Sequence, residues 1–146
     1  MRWERDGYLI STDPSLLDRD LIHTFLRTSY WALNVPRDVV ERSIDNSLNF
    51  GLYDPSGSQV GFARMVTDRA AFGYLADVFV LEPERGRGLG KWLVETVLAH
   101  PDLHGLRRIT LGTQDAHSLY ERYGFKPADS SRLMTLERPA RELYGS

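Results

Sequence analysis

The sequence of 146 residues contains no cysteine. This absence excludes disulfides, thiolate zinc sites and a cysteine nucleophile, and it is typical of a reducing compartment. Long apolar runs are missing as well, because no run approaches the roughly 18 residues of a membrane span. The N-terminus Met1–Gly7 lacks the apolar core of a signal peptide. We therefore expect a soluble, cytoplasmic protein without a membrane partner.

An excess of positive charge is also absent. The 18 Lys and Arg residues are outnumbered by 20 Asp and Glu residues, which gives a formal net charge of −2. A chain with this balance has no global positive field to attract nucleic acid, so we expect no nucleic-acid partner and only local anion sites. With 42% hydrophobic and 26% charged residues, the composition is that of one globular domain.

Strand-like and helix-like patterns alternate along the chain. The first helix is predicted from apolar residues at 17, 21 and 25, and the second from apolar residues at 40, 44 and 48. In the first half of the chain, the predicted elements are a strand at Tyr8–Ser11, a helix capped by Asp13 and begun by Pro14, a helix from Pro36 to about Ser47, and a hairpin of Asn49–Tyr53 and Gln59–Thr67. A central strand covered on both faces follows at Phe72–Leu81. The second half then continues with a helix after Gly90, a strand at Arg107–Gly112, a helix at Asp115–Tyr123 and a closing strand at Arg132–Leu136. This order favours an α/β class bordering on α+β, with helices on both faces of a mixed sheet.

Three glycines, Gly86, Gly88 and Gly90, stand between a predicted strand and a predicted helix. Glycines let the backbone N–H groups of such a loop turn inward, and the start of a helix adds positive potential. Arg85 and Arg87 supply charge-assisted donors beside the loop, which suits a pyrophosphate. The loop therefore predicts a binding site for a nucleotide-like cofactor.

Two common phosphate motifs do not fit this loop. A dinucleotide fingerprint G-x-G-x-x-G begun at Gly86 would need glycine where Lys91 stands. A nucleoside-triphosphate loop ending in Gly90-Lys91 would need glycine at position 85 and Ser or Thr at position 92, where the chain has arginine and tryptophan.

The run Arg85-Gly86-Arg87-Gly88-Leu89-Gly90 resembles the R-x-x-G-x-G coenzyme A loop of the GNAT family of N-acetyltransferases. About thirty residues on, the run from Ala116 to Phe125 resembles the A-x-x-L-Y-x-x-x-G-F helix of the same family, so the chain is identified as a small bacterial-type member. The resemblance implies one acetyltransferase domain over residues 1–146 with a central splayed strand pair. Its parts would be an acceptor-side half at 1–57, an acetyl-coenzyme A-binding core at 58–125, and a C-terminal strand and tail at 126–146.

The resemblance also implies where acetyl-coenzyme A binds. Backbone groups of a central strand would pair with the pantetheine arm, the glycine loop would hold the pyrophosphate, and a tyrosine would protonate the departing thiolate. Thr113 stands where many members carry asparagine, so this residue departs from the family pattern at a position expected to contact the pantetheine arm. The implied cofactor-binding residues are Val78, Phe79, Val80, Arg85, Gly86, Arg87, Gly88, Leu89, Gly90, Thr113 and Tyr120, with Tyr120 also the catalytic acid.

Direct transfer to an amine also requires a group that takes a proton from the ammonium. Asp77 is the lone carboxylate in an apolar strand, so it is either this base, acting through a water, or a structural anion held by a cation such as Arg64. Aromatic faces and a titratable ring could line an acceptor pocket, although each is equally suited to the core or the surface. The candidate acceptor-binding residues are Tyr30, Trp31, Phe72 and His117.

The acceptor itself is not defined by spacing, and we expect a small-molecule or protein amine. A non-catalytic coenzyme A-binding regulatory module is the alternative function, and a homodimer is the expected assembly. No metal is expected, because Pro101 separates His100 from His104 and no third ligand is evident. A serine nucleophile is not supported, since the sequence has no G-x-S-x-G turn.

Overall fold

A computed structural model describes residues 1–145, and Ser146, the last residue of the predicted C-terminal tail, lies outside the described residues. The strands are β1 (Arg2–Arg5), β2 (Tyr8–Ser11), β3 (Leu48–Tyr53), β4 (Gln59–Thr67), β5 (Phe72–Val80) and β6 (Arg108–Leu111). The helices are α1 (Arg19–Leu26), α2 (Arg37–Asp45), α3 (Leu89–Ala99), α4 (His117–Glu121) and α5 (Ala140–Tyr144). The strands lie side by side in chain order, and all neighbours are antiparallel except β5 and β6, which are parallel. The predicted mixed, mostly antiparallel sheet is confirmed.

Each face of the sheet buries its own apolar cluster. On one face α3 packs Leu93, Val94 and Val97 among residues of β3 that include Phe50. On the opposite face α1 and α2 pack against β4 and β5, through a cluster of Ile22, Leu26, Val40, Ile44, Phe62 and Phe79. The sheet is thus covered from both sides, as predicted. Within residues 1–145 even the longest helix, α3 with 11 residues, falls short of a membrane span.

Strand β1 was not predicted, although its turn carries a recognisable signal. Asp6 and Gly7 have φ values of 53° and 84°, so both central residues of the β1–β2 turn are in the left-handed region. Asp-Gly is the dipeptide that favours such a hairpin turn. The strand itself is weakly marked, because only Trp3 is shielded from solvent to any extent.

The start of the first helix was predicted too early. Asp13 caps only the short turn Pro14–Leu16, where its Oδ1 accepts from the backbone N–H of Ser15 at 2.9 Å. The α-helix begins at Arg19, and Asp18 is its N-cap through a bond from the N–H of Leu21 at 3.0 Å. A second aspartate five residues downstream therefore provides the better cap, and Ile22 and Leu26 become the buried positions.

The second helix also ends earlier than its apolar pattern indicates. Helix α2 buries Val40 and Ile44 as predicted, but Leu48 belongs to β3 and pairs with Met65. The amide of Asn49 donates to the carbonyl of Ile44 at 2.8 Å and satisfies the helix C-terminus while the chain turns into the sheet.

Two expectations for the last strands were wrong. Strand β5 is not covered on both faces along its whole length, since Phe72 and Tyr74 are 44% and 47% exposed. It is the fifth of six strands, and its first half lies beside the sheet edge. The predicted closing strand at Arg132–Leu136 is not a strand in the structure. Met134 and Leu136 are 96% and 83% exposed, so the β-prone pattern there has no buried face to occupy.

Candidate active site

Strands β5 and β6 separate and leave a cleft between them. They are paired only from Phe72 to Leu75, opposite Arg108 to Leu111, and no other strand of the described residues pairs with the second half of β5 on that side. The cleft has a volume of about 940 Å³, which is at the upper end for a small-molecule site. It is lined by Ala76 to Val80 of β5, by Arg85 and Gly90 near the glycine loop, and by the segment from Leu111 to Ala116. The implied splayed strand pair is β5 and β6.

A bulge in β5 lies at the middle of this cleft. The pairing with β4 shifts between Phe62 and Arg64, so that Asp77 and Val78 together lie opposite one residue. Asp77 has a φ of 54°, a left-handed conformation that aspartate tolerates better than most residues. The bulge explains why a carboxylate rather than a branched apolar residue occupies this strand position.

The Asp77 carboxylate connects three parts of the fold. Its Oδ2 accepts from Nε of Arg64 on β4 at 2.8 Å, and its Oδ1 accepts from Nε1 of Trp31 at 2.9 Å. Arg64 also donates to the hydroxyl of Ser47 at 3.1 Å, next to the start of β3. The two ion-paired side chains are 17% and 9% exposed, so both charges are largely removed from water and are balanced by each other.

The segment between α1 and α2 forms an aromatic wall of the cleft. The ring centroids of Tyr30 and Trp31 lie 5.0 Å apart, with an angle of 82° between the ring planes. The ring of Phe25 stacks on that of Phe79, with 3.9 Å between their centroids. The hydroxyl of Tyr30 accepts from the backbone N–H of Gln114 at 3.1 Å, which joins this wall to the loop after β6. Tyr30 is thus fixed by Gln114 and Trp31 by Asp77, and these two side chains are called the aromatic wall.

The glycine loop leads into a helix start with open donors. Gly86 and Gly88 have φ values of 86° and 78°, a backbone conformation that residues other than glycine rarely adopt. Within residues 1–145 no side chain caps α3, so its first N–H groups remain available to a ligand. Apart from its chain neighbours and the backbone of its own helix, no heavy atom of the described residues lies within 4 Å of where a Cβ of Gly90 would stand, and Gly90 lines the cleft. Internal packing therefore does not account for this glycine.

The β1–β2 hairpin, whose first strand was not predicted, places another cation beside the glycine loop. Arg5 donates to the carbonyl of Gly88 at 3.4 Å, and its guanidinium lies 4.9 Å from the ring centre of Trp92. Arg85 uses its Nε to bind the carbonyl of Val80 at 3.0 Å, which holds its guanidinium at the end of the cleft. Arg87 instead pairs with Glu84 at 3.2 Å. Arg5, Arg85 and Arg87 thus form a local group of cations beside the glycine loop in a chain whose total charge is balanced.

Tyr120 faces the cleft from α4 and is only 8% exposed. Burial raises the pKa of its phenol, and Tyr30 and the Asp115 carboxylate raise this pKa further. The phenol is consequently neutral and able to donate a proton at any physiological pH. Thr113 stabilises the turn before α4, because its Oγ1 accepts from the N–H of Ala116 at 3.0 Å.

Most of the candidate residues come together in this cleft. The lining includes Tyr30, Trp31, Asp77, Val78, Phe79, Val80, Arg85, Gly90, Thr113 and Tyr120. Gly86, Arg87 and Gly88 lie on the adjoining exposed loop, while Leu89 is the buried first residue of α3. Phe72 lies outside the cleft at the start of β5, beneath the guanidinium of Arg107 at 4.8 Å. His117 is an exposed residue of α4 outside the lining.

Several lining residues were not among the candidates. Phe25 was assigned to a helix face, and Asp115 to the start of a predicted helix without a role in the site. In the structure that helix, α4, begins only at His117. Glu137, Pro139 and Ala140 line the cleft from the C-terminal segment, where the sequence has no periodic pattern to indicate it. Within residues 1–145 no three His, Asp or Glu side chains are grouped as metal ligands.

Replacement of Asp77 by asparagine and by valine tests the strained bulge. Asparagine tolerates the left-handed conformation and keeps hydrogen-bonding capacity, whereas a β-branched valine adopts this conformation poorly. We expect D77V to lose about 2 kcal/mol more unfolding free energy than D77N, measured by urea denaturation. Equal losses in the two variants would contradict a conformational requirement at this position.

The comparisons with known proteins agree with this architecture. The sequence profile of the Acetyltransferase (GNAT) family matches residues 15–125. A candidate acetyltransferase of the fungus Gibberella zeae is 36% identical over 140 residues, an alignment that covers 81% of this chain and 78% of the fungal protein.

Solved structures provide the same assignment. A candidate GNAT-family acetyltransferase from Xanthomonas campestris is 50% identical and superposes with a TM-score of 0.90, covering 95% of this chain and 97% of the other. N-acetylglutamate synthase from Neisseria gonorrhoeae, solved with coenzyme A and N-acetylglutamate, is 20% identical and superposes with a TM-score of 0.67. This match covers 89% of this chain and 31% of the synthase, and it shows a shared fold alone. Together with the splayed strands and the glycine loop, these matches show that the chain belongs to the GNAT family of acetyltransferases.

Proposed function

We propose that this protein transfers the acetyl group of acetyl-coenzyme A directly to a primary amine, with both substrates bound at once. Family membership supports acetyl transfer in general. The single observation that carries the proposal is the continuous cleft between β5 and β6, which joins the glycine loop to Asp77 and Tyr120. One cleft thus offers an anion site, an open strand edge and two proton-handling groups.

The residues present suit acetyl-coenzyme A. The second half of β5, including Val78 and Phe79, has an open edge that favours hydrogen bonds to an extended amide chain such as pantetheine, whereas the carbonyl of Val80 already accepts from Nε of Arg85. The loop from Arg85 to Gly90 and the uncapped start of α3 suit the pyrophosphate. The empty space beside Gly90 fits close approach of a ligand to the backbone. Thr113, which already caps the turn before α4, retains its hydroxyl proton for a polar contact.

Tyr120 is the proposed general acid. When bound, acetyl-coenzyme A supplies a thioester carbonyl carbon that a neutral amine can attack. As the carbon–nitrogen bond forms and the carbon–sulfur bond breaks, Tyr120 donates its hydroxyl proton to the sulfur, and the amine proton replaces it through solvent. The raised pKa of Tyr120 suits this role because it keeps the phenol protonated before each turnover.

Asp77 is the proposed proton acceptor for the amine, acting through a water. Arg64 and Trp31 each occupy one carboxylate oxygen, but an ionised carboxylate offers about four acceptor positions. The remaining positions suit a water or the acceptor ammonium on the side that lines the cleft. The same contacts hold the carboxylate in one orientation, so Asp77 also positions the acceptor.

Replacement of Gly90 by leucine tests the cofactor site. A leucine side chain would project into the cleft, whereas helix propensity favours leucine over glycine within α3. We expect G90L to retain its unfolding free energy and to lose acetyl-coenzyme A binding by at least about 100-fold in calorimetric titration. Gly105, which also has open space at its Cβ position but lies outside the cleft lining, provides the control G105L. Equal affinity in G90L and G105L would show that the cofactor binds elsewhere.

Replacement of Tyr120 by phenylalanine tests the acid. The variant keeps the ring that packs against Phe125 but removes the proton donor. We expect kcat to fall by about 100-fold or more while the affinity for acetyl-coenzyme A changes little. A matching loss of affinity would instead indicate a packing role, and unchanged turnover would remove Tyr120 from the mechanism.

Replacement of Asp77 by asparagine tests the base. Because asparagine tolerates the bulge conformation, its kinetic effect is separable from misfolding. We expect kcat to fall by about 100-fold or more, because the amine then has no positioned proton acceptor. A rise in the acceptor KM with kcat retained would reduce Asp77 to a positioning residue.

A further inference from the structure

The cleft is strongly asymmetric in charge. Among its lining residues in the described chain, the one cationic side chain is Arg85, which lies at the glycine-loop end. The other charged side chains of the lining are carboxylates: Asp77 on β5, Asp115 in the loop after β6, and Glu137 in the C-terminal segment. Apart from Arg85, the charged groups that line the cleft are therefore all anionic.

Two of these carboxylates carry uncompensated charge. Asp77 is balanced by Arg64. By contrast, neither Asp115 nor Glu137 belongs to any of the ion pairs formed within residues 1–145. The negative field of Asp115 acts inside the cleft, because it contributes to the raised pKa of Tyr120. A substrate that carries a negative group would be repelled from the same space.

The aromatic wall lines the same cleft as these carboxylates and offers faces that attract cations. Tyr30 and Trp31 are 51% and 39% exposed, although both are anchored by hydrogen bonds, to Gln114 and Asp77 respectively. Exposed, fixed aromatic rings next to carboxylates form a site for ammonium groups with a short aliphatic stem. The Tyr30–Gln114 bond crosses between the two sides of the cleft, which favours a small acceptor over a folded protein surface.

We propose that the acceptor is a small aliphatic diamine or polyamine, whose unreacted ammonium group binds between the Tyr30–Trp31 wall and the carboxylates of Asp115 and Glu137. The reacting amine then lies toward Asp77 and Tyr120, and the second cation stays with these carboxylates. This inference rests on the proposed acetyl transfer and narrows its acceptor to one chemical class. Amino acids and sugar phosphates are disfavoured because their anionic groups would face Asp115 and Glu137.

Three amines of equal chain length separate the contributions of charge and apolar contact. Hexamethylenediamine, hexylamine and ε-aminocaproate present the same reactive amine with a cation, a methyl group or an anion at the far end. We expect kcat/KM for the diamine to exceed that for hexylamine by about 10-fold or more, with ε-aminocaproate the poorest substrate. The preference for the diamine should shrink as salt is raised.

Variants assign that preference to the two carboxylates. We expect Glu137→Gln and Asp115→Asn each to reduce the ratio of diamine to hexylamine kcat/KM by about 3-fold or more. Glu142→Gln removes the same charge from the exposed surface of α5, outside the cleft lining, and is expected to leave the ratio unchanged. A ratio near one in the wild type, or equal effects of the Glu137 and Glu142 variants, would overturn the proposal.

Equilibrium binding keeps the test independent of turnover. Titration of the coenzyme A-loaded protein with the three amines should give the same order of affinity, and equal affinities would overturn the diamine assignment. If hexylamine or ε-aminocaproate is acetylated best, the acceptor class fails while acetyl transfer stands. If acetyl-coenzyme A does not bind at all, the proposed function fails, and the acceptor assignment fails with it.

Discussion

The parallel pairing of β5 with β6 lasts for four residues, and the site depends on its ending there. Up to Leu75 the two strands form an ordinary sheet, but beyond it the second half of β5 has one open backbone edge. The bulge at Asp77 changes the course of β5 at that point, so the strand leaves its pairing with β6 while remaining bonded to β4. An open edge inside a fold is costly unless something pairs with it, and an extended ligand can do so.

The rest of the molecule supports this opening from three directions. Helix α3 packs on one face of the sheet and presents its uncapped start at the end of β5. Helices α1 and α2 pack on the other face, and the segment between them places Tyr30 and Trp31 at the cleft. The Arg64–Asp77–Trp31 contacts link β4, β5 and this segment, so the proposed acceptor end is held by the same carboxylate that occupies the bulge.

The sequence indicated the residues at the glycine-loop end of the cleft better than those around Tyr30 and Trp31. The glycine loop and the run ending in Gly124-Phe125 have fixed spacing because backbone geometry requires particular residues there, and both motifs lie beside the cleft. The position of Asp77 was evident as a carboxylate in an apolar strand, but its partner Trp31 lies 46 residues away, and local patterns do not reveal such contacts. The start of α1 was misplaced because two aspartates, Asp13 and Asp18, competed as caps. Glu137 and Asp115 were not identified, because their importance arises from tertiary placement alone.

The most direct test of this account is a calorimetric titration of the protein with acetyl-coenzyme A, with NAD and ATP titrated separately. All three ligands carry adenosine phosphates, but only acetyl-coenzyme A has an extended amide arm that can pair with the open edge of β5. The account predicts binding of one acetyl-coenzyme A per chain, with much weaker binding of NAD and ATP. Absence of acetyl-coenzyme A binding, or equal affinity for all three, would contradict the central role of the divergent strands.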